Sequence, residues 1–501
     1  MLMQAGLSLN ERSWLSKTTR LRLAEVLRGG AVEVDPRLGI SASVRPIGLQ
    51  FLLHSVGQDL DSTFDRMKRL FVDLADEGIP DPTHLMNFDH SLVFAGYAEP
   101  AGSSTILGIS AGAVLSIEEL LLLSLTDVDF FTFPELVDGV DATRTNAPIE
   151  VQRVEGQRPE LSSGFQWLRG LGEDLGDALL TSLPVSPWRL CQFELLRDLA
   201  VQWLCLHEAS HWMRGHVAFI QLAEASFDLP AWPIRIGMSD GASSGDIHPQ
   251  RAIVEAALRA AFASSIPADL AHRCLEHQAD HMAFGLLARL HHHQTDHPDS
   301  AFARYAAAMH SLNLTPQFDA LLDLTDAQRL RAMLIAAQVA ILFIEKIGRA
   351  GPRNVGYPFP MGRFLHLQLA AAAEWPIAGS DEEGAYLDAT DADEEELRQF
   401  LRDALGNALI DIDRLGRNLR LEPMTIEEAS DGRVFGPVIR EVLRLFDPDT
   451  RPSDLETEAG RELHHLQHEQ NPIVDRILAP FQIFNGPPTD EDTGIDAMGQ
   501  T

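Results

Sequence analysis

Apolar residues recur three and four positions apart through much of the second half of this chain, the spacing of an amphipathic helix. Between Ser186-Pro187, a helix start, and Gly215, a stop, the apolar residues Phe193, Leu196, Ala200 and Leu204 share one face. The same reasoning predicts helices at about 250–263, 267–291, 326–348, 361–375, 392–416 and 435–446. Upstream the period changes. "SLVFAGYAE" (91–99) and "STILGISAGAVLSI" (104–117) are rich in β-branched and aromatic residues and are separated by "PAGS", which predicts neighbouring strands; "EELLLLSL" then reads as a helix.

Turn residues and charge runs divide the 501 residues into parts. Residues 1–130 form a mixed α/β lobe that includes the two strands, 131–185 a loop-rich insertion, 186–375 a helical lobe, and 376–486 a further helical region. The acidic tail 487–501 has the composition of a disordered segment. The expected fold class is therefore α+β, mainly α, with a small β-sheet and additional C-terminal helices. The acidic run at 380–396 reads as a solvated loop and helix start.

A formal charge of −33 repels phosphate backbones and anionic lipid, so no nucleic acid and no membrane partner is expected. The N-terminal twenty residues lack the apolar core of a secretory signal. "MLIAAQVAILFI" (333–344) is too short to span a bilayer, and "AGAVLSIEELLLLSL" is interrupted by Glu118 and Glu119. Three cysteines, Cys191, Cys205 and Cys274, make no disulfide framework and fit a reducing compartment; the expected location is cytoplasmic.

The polar residues that interrupt the apolar run "LCLHEASHWMRGH" (204–216) change the picture most, because each is costly to bury without a partner. His207, Glu208 and His211 form HExxH. Positions i and i+4 share a helix face, so two imidazoles can reach one ion, while Glu208 projects about 100° away, beside that ion, where it can act as general base. The pentapeptide arises by chance in about one chain in twenty of this composition, so a third ligand is needed. "CLEHQADHMAF" supplies one: Glu276 lies on a second helical run, and Asp280, one turn on, can hydrogen-bond the outer nitrogen of a ligating histidine. His277 and His281 diverge from Glu276 by about 100° and 140° and read as packing or solvent-facing residues.

"HEASHWMRGH" followed by "LEHQAD" resembles the HExxHxxxGH and ExxAD pair of gluzincin metallopeptidases, and within that group intracellular peptidases of the Lit phage-exclusion type. The resemblance implies a zincin-like core, one zinc ion on His207, His211 and Glu276, Glu208 as catalytic base, and Asp280 and His216 in support of the ligands. His216 also suits a helix C-terminus on charge grounds alone. "MNFDHSLVFAGYAEPAGSSTILGISAGAVLSIEELLLL" is similar to the strand, glycine turn and helix that precede the zinc helix in such enzymes, where an edge strand pairs with extended substrate. "GYPFPMGRFLHLQ" (356–368) resembles their proline-containing segment; it makes Tyr357, Arg363 and His366 candidates to stabilise the oxyanion. The chain departs from the family in its long insertion and in carrying Tyr357 where a histidine is more usual.

The expected function is a zinc-dependent endopeptidase acting on a protein or peptide substrate, with a phage-defence role implied by the resemblance and control by a regulatory partner chain left open. Three alternatives stand beside it. The first is a helical core whose polar residues satisfy each other without metal. A di-iron bundle is the second, weakened by Ala279 where a second ExxH requires histidine. The third is a metal-binding, proteolytically inactive adaptor.

Overall fold

The computed structural model describes residues 31–35, 40–43, 46–75, 78–89, 94–101, 104–125, 127, 129–132, 187–219, 268–291, 297–311, 324–350, 367, 402–418, 444, 450–455 and 458–483. The fold is α+β and mainly α, as the patterning predicts. The predicted helices at 250–263, 361–375 (but for residue 367) and 435–446 (but for residue 444), the acidic run, nearly all of the insertion at 131–185 and the tail at 487–501 lie outside the described residues.

A two-stranded antiparallel hairpin, β1 (Ala31–Asp35) and β2 (Ile40–Ser43), is followed by the longest helix, α1 (Pro46–Leu74). Its buried face carries Val56, Leu60, Met67, Leu70 and Leu74. A three-stranded sheet follows, built from β3 (Met86–Asp89), β4 (Gly96–Ala101) and β5 (Ser104–Ser110) in the order β3-β5-β4. β5 is central, parallel to β3 and antiparallel to β4, so among the described residues β4 is an edge strand. Gly108 is required within it: Tyr97 lies directly opposite, and its ring occupies the space of a Cβ on Gly108.

The boundary after β5 corrects one expectation. Residues 111–117 do not continue the strand; helix α2 spans Ala111–Ser124. Ser110 is its N-cap, with Oγ accepting from the Ala113 amide at 3.0 Å, and the same oxygen accepts from the Ala95 amide at 3.0 Å. One hydroxyl thus ends the strand and starts the helix. Ala111, Ala113, Val114 and Ile117 are fully buried, so the β-branched residues serve packing rather than strand formation.

Helix α3 (Pro187–Met213) runs through the centre of the molecule and packs against α2, β4, β5 and the helices that follow: α4 (Ala268–His291), α5 (Ala301–Ser311) and α6 (Asp326–Ala350). Because it is surrounded, its polar residues are buried as well and must be paired. Arg197 bonds Glu118 of α2 at 3.0 Å, and Asp198 receives Arg66 of α1 at 3.2 Å and Arg304 of α5. Three helices are thereby keyed to the half of α3 that precedes the histidines.

The predicted helix at 392–416 is described from 402 onward as a π-helical turn leading into α7 (Asn407–Asn418), which packs on α6. Two further helices, α8 (Glu458–His465) and α9 (Asn471–Leu478), flank a π-helical turn, and that turn and α9 pack against α4. No helix among the described residues is long and apolar enough to cross a membrane.

Candidate metal centre

Helices α3 and α4 pack side by side and bring the two sequence motifs together. The Nε2 atoms of His207 and His211 are 3.3 Å apart, and the Glu276 carboxylate lies 3.6 Å from the first and 3.9 Å from the second. Ligands held tetrahedrally at about 2.1 Å from a divalent ion lie roughly 3.4 Å from one another, so the three observed spacings match a hole of that size. The donor set, two imidazoles and one carboxylate, offers ligand types that divalent metal ions accept. The buried His207–His211–Glu276 group can hold a metal ion.

Each histidine is held from behind. Asp280 Oδ1 is 3.0 Å from His207 Nδ1 and fully buried, which leaves Nε2 to face Glu276 and His211. Trp203, one turn earlier, stacks on the His207 ring at 5.2 Å between centroids. Burial alone lowers the His207 pKa, but Asp280 and Glu276 outweigh it and raise it to about 10. In metal-free protein a proton therefore occupies the place a cation would take. His211 Nδ1 lies 2.8 Å from His216 Nδ1, and His216 Nε2 lies 3.1 Å from Gln278 Oε1. Burial, reinforced by His211, pushes the His216 pKa well below its ordinary value, so this ring is neutral.

The sequence role given to Gly215 as a helix stop holds, for two reasons. Its φ of 76° belongs to the left-handed region that favours glycine. In addition, a Cβ there would meet the Phe481 carbonyl carbon at 2.5 Å, because the turn after α9 crosses the end of α3. The Ile483 amide caps the Met213 carbonyl at 2.8 Å.

Glu208 is buried and faces the sheet. A Cβ on Gly96, the first residue of β4, would come within 2.6 Å of its Oε1, so the carboxylate lies against the edge strand. Of the other expectations, His277 is buried and outside the ligand group, which fits packing, and His281 is partly buried. Burial raises the Cys205 thiol and holds the Cys274 thiol near 12, and neither belongs to the ligand group. Tyr357, Arg363 and His366 lie outside the described residues.

Sequence reasoning missed Gln278 and Asp475. Gln278 Nε2 donates to Asp475 Oδ1 at 3.2 Å, and Arg214 Nη2 donates to the same oxygen at 2.6 Å. No family model, curated protein or solved structure matches the chain, so the reading of the site rests on its own residues.

Proposed function

We propose that this chain is a zinc-dependent endopeptidase, of the gluzincin kind that its HExxH and ExxAD segments resemble. The observation that carries the reading is the meeting of His207, His211 and Glu276 at ligand spacing, with Glu208 of the same helix as the two histidines lying against the first residue of β4. A bound zinc ion supplies a water of lowered pKa and polarises the scissile carbonyl.

The protein's own groups do the rest. Glu208 accepts the proton of the attacking water and returns it to the leaving amine. Asp280 holds His207 in the orientation that presents Nε2. β4, an outer strand of the sheet among the described residues, would pair its backbone with an extended peptide and so bring a scissile bond near Glu208. A neutral histidine, a neutral glutamine and a buried carboxylate around the ligands fit a single divalent cation better than a polar cluster satisfied without one.

Three buried cysteines, too few for a disulfide framework, support a cytoplasmic location. A role in phage defence, and a narrow protein substrate with it, follows from the resemblance to Lit-type peptidases. The test measures metal content and proteolysis for the purified protein and its Glu208→Gln variant. Retained zinc with lost cleavage supports the reading; equal cleavage by both removes Glu208 as the base; zinc without cleavage in either points to an adaptor.

A further inference from the structure

We infer that α9, a helix far from α3 in sequence, sets the tautomer of the ligand His211 through Asp475, Gln278 and His216, and so forms a working part of the metal centre. The inference rests on the reading of His211 as a metal ligand and adds Gln278 and Asp475 as positioning residues that act through His216.

The argument follows the donors and acceptors in order. Asp475 Oδ1 only accepts, so the Gln278 amide must turn its NH2 toward it, at 3.2 Å. That fixes the Gln278 carbonyl oxygen toward His216 Nε2, at 3.1 Å, and Nε2 must carry the hydrogen. A neutral imidazole protonated on Nε2 has its lone pair on Nδ1. His216 Nδ1 therefore accepts, and His211 Nδ1 donates to it at 2.8 Å. The last step leaves the His211 Nε2 lone pair facing His207 and Glu276, where a metal ion takes it. Reversing any one link reverses the next.

The two ligating histidines are thus oriented by different means. His207 is held directly by a carboxylate, which needs no further instruction because a carboxylate always accepts. His211 is held by a neutral ring, which can point either way and needs a chain to decide. Arg214 fixes the far end of that chain by binding Asp475 at 2.6 Å, and the turn 479–481 pins the same segment against Gly215.

Selective 15N-histidine spectra of the full chain, prepared without metal, read the tautomers, and competition with a chelator reads zinc affinity. His211 is expected as the Nδ1–H form and His216 as the Nε2–H form. Gln278→Leu is expected to lose that assignment and to weaken zinc binding about tenfold or more. Asp475→Asn keeps an acceptor for both Gln278 and Arg214 and is expected near wild type, with Asp475→Ala well below it. His211 protonated on Nε2 in the wild type, or undiminished zinc affinity in a folded Gln278→Leu, overturns the inference. Should Gln278→Leu fail to fold, equal affinities for Asp475→Ala and Asp475→Asn overturn it instead. If the wild type takes up no zinc, the peptidase reading fails while the tautomers still decide the relay.

Discussion

Gly96 of the edge strand and Glu208 of α3 are in such close contact that any side chain at residue 96 meets the carboxylate: a Cβ there lies 2.6 Å from Oε1 and 3.1 Å from a Leu204 methyl. Gly96→Ala must therefore displace either the strand or the carboxylate, and neither belongs to the His207–His211–Glu276 group. The expected outcome is zinc content near wild type with proteolysis reduced at least tenfold, a loss in kcat more than in KM. Measured turnover equal to wild type removes Glu208 from the position assigned to it.

Asp280 is fully buried against His207, so Asp280→Ala removes both the acceptor and the orientation it imposes. Zinc affinity is expected to fall by about 10- to 100-fold. Chelator competition provides the measurement, with the melting temperature followed in parallel to separate a local from a global loss.

Metal and proton compete for His207. Its pKa of about 10 in metal-free protein means that Nε2 is protonated at neutral pH, and zinc must expel that proton. Apparent zinc affinity is expected to rise with pH toward about 10 and then level. Near pH 8, calorimetry in buffers of differing ionisation enthalpy is expected to find about one proton released per ion. In metal-free protein the same group has the opposite effect on stability, which is full below its unfolded pKa near 6.5 and lost as pH rises through 10.

His291 gives an acid limb unrelated to the metal. It is fully buried, accepts from the Ala301 amide on Nδ1 at 3.1 Å and donates from Nε2 to Gln202 at 2.6 Å, so it is neutral; burial lowers its pKa to about 3. A histidine depressed in the folded state contributes stability above its unfolded pKa and loses it as pH falls. Chemical denaturation is expected to show stability declining from pH 6.5 toward 3. His291→Gln is expected to flatten that decline while lowering stability at neutral pH.

Asp411 of α7 is fully buried and is matched by Arg331 of α6, which donates to Oδ2 from Nε at 2.9 Å and from Nη2 at 2.6 Å. The other oxygen accepts the Phe131 amide at 3.0 Å, at a residue whose φ of 50° is unusual for a phenylalanine. Arg331→Met leaves this buried carboxylate only the more distant Arg414, 3.9 Å from Oδ1, and a loss of about 3 kcal/mol is expected in urea unfolding. A loss below 1 kcal/mol contradicts the pairing.

The His207–His211 pair and its glycine stop were legible from helix periodicity, and Glu276 with Asp280 from one further helical turn in a segment that resembles ExxAD. Gln278 was not legible, since its partners are 62 and 197 residues away and a lone glutamine on a helix carries no signal. Helix α1 escaped notice although Val56, Leu60, Met67 and Leu74 mark its stripe, because Gly48 and Gly57 lower helix propensity there. Packing overrides them: at Gly57 the Phe88 ring of β3 approaches to 3.1 Å of a Cβ position. Ser110 shows the converse, a single hydroxyl redirecting seven residues that β-propensity assigns to a strand.

Arg214 and Asp475 are separated by 261 residues. A ribosome therefore delivers the histidine-bearing helix long before the segment that braces it, and the emerging polypeptide carries both imidazoles with only one of them oriented. On the inference above, tight zinc capture is deferred until that late segment has been translated and has folded back, which keeps a half-made chain from acquiring its ion early.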